Sequence, residues 1–160
     1  MITAMTETPF ELIWLLEQLE IYPDEYSDYN ERRTVHSLFY LADKFGFLCP
    51  FSFVEGIEGP LSGEAAEFIP YTANYRIVWA EWDLSNAHEI WPKLQSVILA
   101  PGGVNQKVWI RLLGDYVFAY EALGLGKQEC LERIEATFPD LSDDVKNRLK
   151  TSLFYIKVQA

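Results

Sequence analysis

Apolar positions along this chain recur mainly at helical spacing. Leu12, Leu15, Leu16 and Leu19 stand at i, i+3, i+4 and i+7, the stripe of an amphipathic helix. Thr8, Pro9 and Glu11 precede or open it as a capping residue, a proline for the first helical position and an acid able to reach back to the cap. Glu17 and Glu20 lie off the stripe, and Tyr22 to Ser27 reads as a loop. Asp28 and Glu31 repeat the capping spacing ahead of a second stripe, Val35, Leu38, Leu41, Ala42 and Phe45, with Gly46 as a left-handed stop.

The middle of the chain is less regular. Phe47 to Val54 is aromatic and broken by Pro50, and Gly56, Gly59, Pro60 and Gly63 mark turns. A short helix is expected over 64–69. Residues 74–82 fit two readings, because Tyr75, Ile77 and Trp79 alternate as in a strand yet also suit a buried helix. Ser85 is expected to cap a helix to Leu99, with Pro92 as a kink or a fresh start. Pro101-Gly102-Gly103 is a break, which places a subdomain joint near 100–104. Asn105 opens a helix carrying Trp109, Leu112, Leu113, Tyr116, Tyr120 and Leu123 to Gly124. Lys127 to Thr137 forms the next, and Ser142 caps the last, whose stripe is Val145, Leu149, Leu153 and Ile156. The expected fold is mostly α, about six helices in one compact domain over 1–160, with a short β-hairpin around 47–58 or 74–82 as an addition.

Composition supports a packed domain. Hydrophobic residues make up 49% of the 160 and aromatics 15%, enough for a core without disulfides or metal. No apolar run reaches membrane-spanning length, and the first residues lack a basic and an apolar region of the kind signal peptides carry. Cys49 and Cys130 belong to no paired motif and read as reduced thiols, so a cytoplasmic setting is expected.

Charge sharpens the picture. The net charge is −11, and residues 1–31 hold eight acids and no Lys or Arg. From Lys93 onward the signs nearly balance. Such a field repels nucleic acid and anionic membranes and attracts basic partners. Glu17, Glu20, Asp24, Glu25, Asp28 and Glu31 are therefore candidate partner-binding residues. Trp79 and Trp82 join them, because Trp79, Trp82 and Trp91 in a short span exceed ordinary core needs.

Catalytic and cofactor motifs do not form. His36 and His88 belong to no metal-ligand spacing, and a helix-surface or hydrogen-bonded core histidine is the better reading of each. Gly59-Pro60-Leu61-Ser62-Gly63 sets its serine one position late for a nucleophile elbow. Gly124-Leu125-Gly126-Lys127 lacks the first glycine and the hydroxyl residue of a phosphate loop. Phe45, Phe47, Phe51 and Phe53 have no interleaved bases beyond Lys44 and read as core. No catalytic residue, metal or cofactor is expected.

Two stretches resemble a known family. The helix Leu38-Phe39-Tyr40-Leu41-Ala42, followed by Gly59-Pro60-Leu61-Ser62, is similar to the Panacea (SocA-like) antitoxin-type domains and their uncharacterised relatives. The corner Phe138-Pro139-Asp140-Leu141-Ser142 looks like that of some relatives. The family carries a basic residue shortly before the tyrosine, where this chain has His36 and Ser37, and often a Tyr after Gly-Pro, where it has Leu61. The resemblance implies a helical, non-enzymatic domain that neutralises or recruits another protein. The leading expectation is thus an antitoxin-like or inhibitory protein-binding module whose partner presents a basic surface. Two others stand beside it: an acidic nucleic-acid mimic of the kind that inhibits host-defence nucleases, and a small enzyme built on a carboxylate or Cys-His site.

Overall fold

A computed structural model describes residues 8–159, and their side chains except at 76–80 and 157–159. Seven α-helices are found among the described residues: α1 (Phe10–Gln18), α2 (Tyr29–Phe45), α3 (Gly63–Phe68), α4 (Ser85–Ile98), α5 (Gln106–Glu121), α6 (Lys127–Thr137) and α7 (Asp143–Gln159). One antiparallel hairpin, β1 (Val54–Gly56) and β2 (Gly59–Leu61), lies between α2 and α3. The mostly helical fold with a short hairpin is as the sequence pattern predicts.

The hairpin sits later than expected. Only β1 falls within 47–58, and β2 occupies glycine and proline positions that read as turn; the register pairs Val54 with Leu61 and Gly56 with Gly59. Residues 74–82 form neither strand nor α-helix. They lie largely in a 3₁₀ stretch, Ile69–Glu81. Two predicted caps also differ. Pro9, not Thr8, takes the cap position of α1, with no side-chain capping bond, and Glu11 turns inward. Leu84 caps α4, while Ser85 is its first residue and donates through N and Oγ to Asp83 Oδ1. The other predicted caps hold, although α5 stops at Glu121, short of the expected Gly124. Asp28, Asn105 and Ser142 accept from the amides three residues on, and Gly46 ends α2 at φ 101°.

Helices α2 and α5 form the centre. They pack on each other, and β2, α4 and α7 contact both, while α3 adds to α2 and α6 to α5. Every residue of α2 from Arg33 to Ala42 is buried, although its sequence shows only one apolar stripe. Burying each large apolar side chain there contributes roughly 1.5–3 kcal/mol. The two axes come close because Gly114 has no side chain: a Cβ there would stand 2.6 Å from Ser37 Cβ. Phe45, Phe47 and Phe51 are core residues, and Phe53 packs against the same core. No helix among the described residues is long and apolar enough to cross a membrane.

Candidate partner-binding surface

Burying α2 on all sides takes its polar residues inside. His36 Nδ1 accepts from the Ser62 amide at 3.2 Å, so its proton sits on Nε2. Burial, then Arg33 and Arg32, holds the imidazole down to about 4, and it is neutral at physiological pH. Arg33, at 4% exposure, lies under the hairpin. Its guanidinium fills the space that side chains at Gly56 and Gly59 would need. Asp115 on α5 supplies the countercharge, accepting from Arg133 Nε at 3.0 Å, and Arg133 Nη1 reaches Glu55 on β1 at 2.9 Å. Burial pushes the Asp115 carboxyl up, against the pull of Arg133 and Arg33. This chain of charges clamps hairpin, α5 and α6 together.

The two cysteines are chemically quiet. Burial raises the Cys49 thiol to about 12, and burial also raises Cys130, so both are protonated at neutral pH. His36 contacts the Ser62 backbone, while His88 is exposed beside Trp14, 5.1 Å between ring centroids.

The acidic segment is different in kind, because its side chains point outward from a fixed backbone. Ile21, Pro23 and Ser27 are buried, and Tyr22, Asp24, Glu25 and Tyr26 between them are exposed. The loop is tied at several points. Thr72 Oγ1 donates to Pro23 O at 3.1 Å, Arg32 Nη1 to Ser27 O at 2.7 Å, and the Tyr26 amide to Asp24 Oδ1 at 2.8 Å. Glu20 and Asp28 are exposed too, and Glu17 and Glu31 are partly so. Glu11 is not part of this face. It is fully buried, accepting from the Leu48 amide at 2.7 Å and from Asn86 Nδ2 at 3.0 Å, which ties α1 to α4 and to the end of α2.

Three tyrosines stand among the surface acids: Tyr22, Tyr26 and Tyr29, at 43, 85 and 46% exposure. Their interleaving with Asp24, Glu25 and Asp28 is visible in the sequence, but their exposure is not. Trp82 is half-buried against Phe10, 5.6 Å between ring centroids, and so is partly committed to the core. The side chain of Trp79 lies outside the described residues. Beside the acidic face a cavity of about 440 Å³ opens between the first turns of α2 and α5, with Asp28 and Glu31 on its rim.

Compared with models of known protein families, with curated proteins and with solved structures, the chain matches none.

Proposed function

We propose that this protein is a non-enzymatic binding module, antitoxin-like or inhibitory, and that the segment from Glu17 to Glu31 is the surface that meets a basic partner. The observation that carries this reading is the segment's construction. Its acids and tyrosines are held outward by a backbone pinned through Ile21, Pro23, Ser27 and Thr72. A pinned loop loses little conformational entropy on binding. Tyrosines supply apolar area and a hydroxyl together, which is why they are enriched where proteins meet.

One residue adds to the argument. Glu20 has φ 54°, in the left-handed region after α1 where glycine is the usual choice. Glycine would relieve that strain, so an acid at this position carries some loss of stability. The resemblance to Panacea (SocA-like) domains supports the same class. Its two motifs touch here, since α2 packs on β2 and His36 receives the Ser62 amide. On that reading Gly59 and Pro60, in β2, shape the hairpin and do no chemistry.

Affinity capture from the native host tests the reading. A stoichiometric protein that stays bound when salt is raised from roughly 0.1 to 1 M matches an interface of tyrosines with acids around them. Binding that collapses over that range points instead to nucleic-acid mimicry, and no captured protein overturns the proposal.

A further inference from the structure

The cavity beside the acidic face has walls of opposite sign. Asp28 and Glu31 of the α2 start line one side, and Lys107 and Arg111 of α5 the other, with Asn30, Thr34, Asn105 and Gln106 between. None of these four charges takes part in an ion pair within 4.0 Å among the described residues. Burial disfavours the charged form of Arg111, against the pull of Glu58 and Asp28. Several lining side chains are held in place, two of them by bonds to Asn30 within the cavity. Arg111 Nη1 donates to Asn30 Oδ1 at 3.1 Å and its guanidinium lies over the Phe138 ring, Gln106 Nε2 donates to Ile98 O, and Thr34 Oγ1 donates to Asn30 O. At about 440 Å³ the space falls within the range of small-molecule sites.

Facing charges that do not meet leave room for a ligand that bridges them. We infer that this cavity binds a small zwitterion, an α-amino acid or a dipeptide, with its ammonium toward Asp28 and Glu31 and its carboxylate toward Lys107 and Arg111. Neither a simple anion nor a simple cation satisfies both walls, because each meets repulsion from one of them. The ends of a zwitterion are charge-complementary to both, and the amides of Asn30, Asn105 and Gln106 suit the polar groups between its ends. The site shares Asp28 and Glu31 with the proposed partner surface, but no second protein takes part in its test, so the two readings fail separately.

The test uses the full chain and amide chemical-shift titration. The probes are L-glutamine, the dipeptide Ala-Gln, and N-acetylated and C-amidated forms of each. The inference predicts saturable shifts confined to residues near 28–34 and 105–111. It predicts at least about ten-fold weaker binding when either terminus is blocked, the loss of roughly one charge-assisted contact. Tighter binding of the free amino acid or of the dipeptide tells which of the two the cavity takes. Lys107→Gln and Glu31→Gln, both near the protein surface, are each expected to weaken binding by a similar factor, with circular dichroism unchanged. Absence of saturable shifts, equal binding of blocked and free probes, or unchanged binding by both variants would overturn it.

Discussion

Single residues carry much of this fold's specificity, and several do so by what they lack. Gly114 is one: Gly114→Ala is expected to lower stability by about 2 kcal/mol, because a methyl group must displace Ser37 at the α2–α5 contact. Ser37→Gly in the same chain should restore most of it, read by urea unfolding. His36 gives a pH signature. Its folded pKa of about 4 lies below the ordinary 6.5, so the unfolded chain takes up the proton first and stability falls as pH drops from about 6.5 toward 4. The full effect is about 3 kcal/mol, and His36→Asn should flatten the slope between pH 6.5 and 5. Glu20→Gly is expected to raise stability by about 1 kcal/mol by relieving the left-handed backbone. The sequence gives no hint of Gly114's role or of His36's partner, since Ser37 and Ser62 are distant neighbours. Asp115 leaves a trace, an acid inside the apolar run from Leu112 to Ala119.

Elements were legible where their own ends marked them. Asp28, Gly46, Asn105 and Ser142 carry local capping chemistry, so α2 is legible at both ends and α5 and α7 at their starts. Glu11 shows the limit of local reading. It fits a capping motif, yet its carboxylate is taken by Asn86, 75 residues away, and by Leu48. The hairpin was misplaced because strands of three residues are too short to alternate, and because Gly56 and Gly59 answer to Arg33 rather than to a turn alone. The Asp115–Arg133–Glu55 chain holds that hairpin. Asp115→Ala should cost about 3 kcal/mol, since it leaves buried Arg33 without its countercharge and Arg133 with exposed Glu55 alone. Glu55→Ala, which removes an exposed partner, should cost about 1 kcal/mol or less. Equal losses in chemical denaturation would contradict a clamp centred on Asp115.

At the scale of the whole molecule, the exposed acids of the N-terminal segment lie apart from the few charges buried in the core. The acids of 17–31 lie on one pinned surface stretch, while Arg33 and His36 of α2 and Asp115 of α5 are buried near the hairpin. Bulk acidity is plain in the sequence, but the exposed tyrosines and the fixed loop on which the proposed binding surface rests depend on which side chains the fold hides. The most direct measurement is quantitative capture from the native host by the wild-type chain and by Asp24→Asn/Glu25→Gln/Tyr26→Ala, matched for thermal stability. The account predicts a stoichiometric partner whose retention falls about ten-fold or more in the variant, a loss of roughly 1.4 kcal/mol or greater. Capture of that partner equally by both chains, or of none by either, would contradict it.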